Sequence, residues 1–193
     1  MIRPVSWLIA LLILLPATAG AQQGVSLRID EFDGFPWGTT EEEVLDRLGE
    51  PVQADTLEGG VVVLAFLGTI GDTASIAMFA FLPGQGLVKG QHSIAFDASE
   101  DCVALFRVMR NHLLLKYPMI VPVDRSRNDS SNTFCAAVVD GDAAWISTWE
   151  DPQTGAQALV SIEAGRPRLN VVFESARFIA WVEDPDRPSE PEP

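Results

Sequence analysis

Phe35-Pro36-Trp37-Gly38-Thr39-Thr40-Glu41-Glu42-Glu43-Val44-Leu45-Asp46-Arg47-Leu48-Gly49-Glu50-Pro51 reads as a complete short helix with its punctuation. Thr40 is placed to cap the exposed N–H groups, and Glu43, three residues on, can reach back to close a capping box. The acidic first turn suits the positive end of the helix dipole. Val44, Leu45 and Leu48 share an apolar face, Gly49 can take the left-handed stop, and Pro51 blocks continuation. Three strand-like runs follow: Val61 to Leu67, Ala74 to Leu82 and Leu87 to Phe96. Their separators, Gly68 to Thr73 and Pro83-Gly84-Gln85-Gly86, are too short for a parallel crossover, so an antiparallel meander is expected.

The pattern then starts again. Asp97 to Glu100 can open a longer helix through Tyr117, with Cys102, Phe106, Met109, Leu113 and Tyr117 on one face. The polar segment Asp124 to Asn132 reads as a connection. Phe134–Val139, Ala143–Trp149, Ala158–Glu163, Arg168–Phe173 and Phe178–Val182 read as strands, with Asp140-Gly141 as a tight hairpin turn. The expected fold class is α+β: two tandem helix-plus-antiparallel-meander units, residues 35–96 and 97–182, in two-layer α/β packing. Each helix is expected to cover its own meander, burying Val44, Leu48, Phe106, Met109 and Leu113. The alternative is a single α+β domain whose elements happen to alternate. Residues 22–34 form a lead-in, and residues 183–193, nearly all proline and acid, form a disordered tail.

Trp37-Gly38-Thr39-Thr40-x-x-Glu43-Val44-x-x-x-Leu48-Gly49-x-Pro51 resembles the opening helix of the SmpA/OmlA (BamE-like) family, small exported proteins linked to outer-membrane β-barrel assembly. The helix-plus-meander repeat is similar to the tandem architecture of β-lactamase inhibitor proteins. Both resemblances imply protein binding through a sheet face and loops, without catalysis or cofactor. The chain lacks the lipid-anchor cysteine typical of the assembly proteins.

The first 21 residues read as a signal peptide: Arg3, an apolar run from Val5 to Leu15, Pro16, then Ala19-Gly20-Ala21 as a small-x-small cleavage site before Gln22. The run is shorter than the about 20 apolar residues that a membrane span requires. The expected location is therefore periplasmic or extracellular, with no transmembrane span in the mature chain. Net charge is −14. Such acidity repels nucleic-acid phosphates and anionic lipid, and it favours solubility. Cys102 and Cys135 permit one intramolecular pairing in an oxidising compartment. That loop is worth about 3.5–4 kcal/mol in the chain-entropy picture. Two buried free thiols are the alternative.

No catalytic, cofactor-binding or metal-binding residues are assigned. His92 and His112 lack partners at metal-ligand spacing, and His112 reads as solvated. Asp124-x-Ser126-x-Asn128-Asp129 has calcium-loop character, but the sharp-turn glycine is replaced by Asp129 and the bidentate glutamate by Cys135. Gly84-x-Gly86 precedes no helix and reads as a turn rather than a phosphate cradle. Trp145 and Trp149 share a strand face and have two readings: core aromatics, or a candidate contact for a partner. The expectation is a non-catalytic exported module that binds another envelope or secreted protein. The alternative is a secreted hydrolase whose site no motif reveals. A serine or aspartate bonded to either histidine in a cleft favours the hydrolase; an open sheet face with exposed aromatics favours binding.

Overall fold

Eight antiparallel strands form one sheet, lying across it in the order Gln53–Thr56, Val62–Ile70, Thr73–Leu82, Gly86–Ala95, Arg168–Glu174, Gln157–Ile162, Ala144–Glu150 and Val123–Arg127. The computed structural model describes residues 27–96, 102–127 and 134–184. The leader with its cleavage point before Gln22, the helix-opening stretch Asp97–Glu100, the polar segment from Asn128 and the tail beyond Asp184 lie outside the described residues. In chain order the elements are β1 (Glu31–Phe32), β2 (Phe35–Pro36), α1 (Glu41–Leu48), β3 (Gln53–Thr56), β4 (Val62–Ile70), β5 (Thr73–Leu82) and β6 (Gly86–Ala95). Then come α2 (Cys102–Lys116), β7 (Val123–Arg127), α3 (Phe134–Val139), β8 (Ala144–Glu150), β9 (Gln157–Ile162), β10 (Arg168–Glu174) and α4 (Ala176–Glu183). The fold is mixed α+β. Four strands follow α1, four follow α2, and their last members, β6 and β10, pair at the centre of the sheet.

Helix α1 is built as its sequence dictates. The Thr40 hydroxyl accepts from the Glu43 amide at 3.3 Å, and the Glu43 carboxylate accepts from the Thr40 amide at 2.8 Å. These Thr40 bonds, the backbone one foremost, hold the Glu43 carboxyl below its ordinary pKa. The burial of α1 departs from expectation. Val44 is its one buried residue, while Leu48 is 43% exposed. An eight-residue helix seated on a single side chain contributes little to covering the sheet.

Alternate residues of the strands face opposite sides, and the two sides differ. One side carries Leu64, Phe66, Phe79, Phe173, Val160 and Trp149, and it makes the main apolar core together with Phe106, Met109, Leu113 and Tyr117 of the α2 region. The lead-in belongs to this core rather than preceding it. Asp33 and Gly34, with φ of 50° and 75°, turn β1 back on β2, and Phe32 packs against Phe79 at 4.9 Å. Gly90 of β6 makes room for that ring, since a Cβ there would stand 2.0 Å from Phe32 Cγ.

Several segments differ from the sequence reading. Phe134–Val139 is helix α3, not a strand, with Phe134 and Val138 one helical turn apart and both buried. Asp140-Gly141 ends that helix, with the Gly141 amide bonded to the Val138 carbonyl, rather than turning a hairpin. Phe178–Val182 lies in helix α4, capped by Ser175, whose hydroxyl accepts from the Phe178 amide at 3.2 Å. Glu183, assigned to the tail, is its last residue. In each case a short apolar run fits either period, and the cap and tertiary packing decide. Part of the polar segment, Val123–Arg127, is edge strand β7, and Gln53–Thr56 is the opposite edge, β3.

Cys102 and Cys135 are bonded, with Cα atoms 5.8 Å apart. The bond joins α2 to α3, whereas the sequence reading placed a strand at Cys135. No helix among the described residues is long and apolar enough to cross a membrane.

Candidate functional site

The sheet's second side is largely free of other elements among the described residues. Strand register sets its rows. One runs Ala65, Met78, Gln91, Val172, Leu159, Thr148; the next runs Leu67, Ile76, Ser93, Asn170, Ser161, Ile146. Met78, Ile76, Leu159 and Ile146 are half-buried, and Leu67 is 75% exposed. A helix-covered sheet face would bury such aliphatic side chains outright. Polar residues cross-brace the face: Gln91 donates to Asn170 at 3.0 Å, Lys89 pairs with Glu174 at 2.7 Å, and Gln157 donates to Glu174 at 2.6 Å.

Helix α4 covers one corner of this side. Its Phe178 and Trp181 pack with Val61, Leu82 and Val88 into a second, smaller apolar cluster. Between α4 and the turn Leu57-Glu58-Gly59 lies a pocket of about 330 Å³, floored by Val63, Met78, Ala80, Lys89 and Gln91. Lys89 is engaged on two sides, by the Glu174 carboxylate and by the Phe178 ring, whose centroid lies 4.7 Å from its ammonium. The pocket is therefore apolar with one internally neutralised ion pair. Because Met78 and Gln91 also belong to the open row, pocket and face are continuous.

The aromatic side chains on this side come from α4. Trp149 is 0% exposed, and Trp145 stacks on Phe106 at 4.5 Å and meets Phe134 edge-on at 5.9 Å. Trp149 therefore lies in the core, and Trp145, partly buried, packs against that core on the same face, toward α2 and α3. Spacing established that they share a face but could not say which one.

A serine and an aspartate do flank one histidine. Ser75 Oγ lies 2.9 Å from His92 Nδ1, and Asp33 Oδ1 lies 3.0 Å from His92 Nε2. Asp33, as a carboxylate, accepts from Nε2–H, which leaves Nδ1 to accept the Ser75 hydroxyl. The ring is reversed relative to the serine-protease arrangement, where Nε2 faces the serine. The cluster sits on the core side: His92 is 1% exposed, Ser75 is buried, and Phe32 lies 5.1 Å from the imidazole. None of the three residues lines the pocket. Their evident structural effect is to tie the β1–β2 turn to β5 and β6.

His112 is half-buried rather than solvated, and burial foremost, then the nearby Lys116 and His92, lowers its pKa. Arg110 of α2 bonds Asp124 at 2.8 Å and Ser147 at 3.2 Å, pinning the helix to β7 and β8. The Arg110 hydrogen bonds, against a smaller opposing effect of burial, hold the Asp124 carboxyl below its ordinary pKa. Asp124 thus serves an ion pair, while Asn128 and Asp129 of the calcium-like run lie outside the described residues. No cluster of three or more His, Cys, Asp or Glu side chains suited to a metal occurs among the described residues. Compared with known proteins, the chain matches no family model, no curated protein and no solved structure.

Proposed function

We propose that the protein is an exported, non-catalytic binding module that engages another envelope or secreted protein through the open side of its sheet. The observation that carries the reading is the two adjacent rows with half-buried aliphatic side chains, Met78 and Leu159 in one and Ile76 and Ile146 in the next, the first running into the pocket under α4 through Met78. Water-facing apolar surface of this kind, rimmed by polar residues, is what a partner covers. The chain's mirrored order, a helix and four strands twice over, supports reading it as two tandem helix-plus-meander units. Their union at β6–β10 makes the face wide enough to receive a folded partner or a segment of one. Export rests on the leader pattern of residues 1–21, and N-terminal sequencing of the mature protein should begin at Gln22.

Photo-crosslinking residues placed at Leu67, Ile76 and Leu159 of the full chain, in its native compartment, test the binding face. Discrete adducts at these positions, absent at Arg107 on the far side of α2, support the reading. Equal or absent crosslinking at all positions overturns it.

The second reading, a hydrolase, is favoured by the Ser75–His92–Asp33 chain alone: a hydroxyl, a base and an orienting carboxylate within bonding distance. A fluorophosphonate probe on the native protein distinguishes the two. Labelling at Ser75, lost in Ser75→Ala and on denaturation, would establish the hydrolase; no labelling leaves the trio as a structural brace.

A further inference from the structure

The pocket and its surroundings differ in charge in a way that specifies an occupant. Its lining is mostly apolar, and Lys89, the one cation among its lining residues, is paired with Glu174 at 2.7 Å. The acids around it have no such compensation from the lining. Glu58 stands in the wall, and Asp55 faces the same side of the sheet as Val63 on the neighbouring strand. Both are exposed, and the whole chain carries a net charge of −14. An apolar cavity with an acidic rim favours an apolar group flanked by positive charge, and it disfavours a fatty acid or other anionic ligand.

We propose that the pocket receives an apolar side chain from a basic segment of a partner protein, with lysine or arginine residues beside the inserted group meeting Glu58 and Asp55. The proposal rests on the binding reading above and names its partner chemistry. A volume of about 330 Å³ accommodates one large side chain such as leucine or phenylalanine with part of its neighbour. The continuity of the pocket with the row through Met78 and Gln91 lets the rest of such a segment lie along the sheet. The inserted group supplies the anchor, while the rim charges set orientation and partner choice.

Three fluorescent octapeptides test this on the full chain by anisotropy: a Leu-Phe pair flanked by lysines, the same pair flanked by glutamates, and a Ser-Gly pair flanked by lysines. Binding of the first alone is expected, and it should weaken with salt because the rim is exposed. Ala80→Phe, which fills the floor, should weaken binding about tenfold or more, as loss of a buried anchor does. If Ala80→Phe fails to fold, Glu58→Lys with Asp55→Lys, both at exposed positions, should weaken it comparably. Binding of the glutamate-flanked peptide as well as the first, no binding of the first, or indifference to both variants overturns the proposal. So does native mass spectrometry that finds a small apolar molecule in the wild type and not in Ala80→Phe. If crosslinks at Ile76 persist while these peptide results fail, the binding face stands and only the occupant is wrong.

Discussion

Asp151 and Ile29, 122 positions apart, are joined by a hydrogen bond: the Ile29 amide donates to the Asp151 carboxylate at 3.0 Å. The same carboxylate accepts from the Gln153 amide at 2.9 Å and from the Thr154 hydroxyl at 2.9 Å. One buried side chain thus shapes the β8–β9 turn and ties the start of the folded region to it. Burial is the largest single influence on this carboxyl and pushes its pKa up. The bonds from Ile29, Gln153 and Thr154 together outweigh burial and bring it below its ordinary value.

The sign of the pH effect follows. A carboxyl whose folded pKa is depressed contributes stability above its unfolded value, 3.8, and that stability is lost as pH falls through the lower folded value. Thermal melts should therefore show a decline below about pH 4 that Asp151→Asn flattens. At neutral pH, Asp151→Ala should cost about 1–3 kcal/mol for the stranded Ile29 amide alone.

Reduction of Cys102–Cys135 should lower unfolding free energy by up to about 3.5–4 kcal/mol. Thiol titration of the denatured, unreduced protein should find no reactive cysteine; two would contradict the bond.

Phe106, wholly buried and stacked on Trp145, anchors α2 to the sheet. Phe106→Ala should cost about 3–5 kcal/mol by denaturant unfolding. Glu42→Ala, on the exposed side of α1, should fall within about 0.5 kcal/mol of wild type.

Gly90→Ala should destabilise by about 1–3 kcal/mol or more, because its Cβ would overlap the Phe32 ring. Combining it with Phe32→Ala should recover part of the loss relative to simple addition of the two effects, a coupling that a double-mutant cycle measures.

Much of the fold is legible in the sequence where local chemistry and tertiary demand agree. Thr40 and Glu43 spell out the start of α1, the Cys102-to-Tyr117 stripe marks α2, and turn-rich separators delimit β4 to β6. Elements with two-way signals are not legible. Phe134–Val139 satisfies strand and helix periods equally, and its disulfide and buried face select helix. Ser175 carried a capping signal for α4 that the apolar run after it obscured. Asp33-Gly34 is a turn signal too, but it is flanked by strands of only two residues each. The candidate site left still less trace. Its pocket joins residues near 58 to residues near 181, and no spacing rule connects such positions. Likewise Ser75 meets His92 only because β5 and β6 are neighbours in the sheet.

The central seam between β6 and β10 also bears on how the molecule is made. A chain emerging from its N-terminus completes β6 long before Arg168 begins the strand that pairs with it. Through that interval Gly86–Ala95 presents an unpaired edge, the kind of template that recruits foreign strands. Closing the seam spans the whole second half of the chain, a non-local step that slows folding. Truncation before β10 would therefore yield no smaller version of the protein, but a sheet split at its centre, with β6 and β9 both left unpaired on one side.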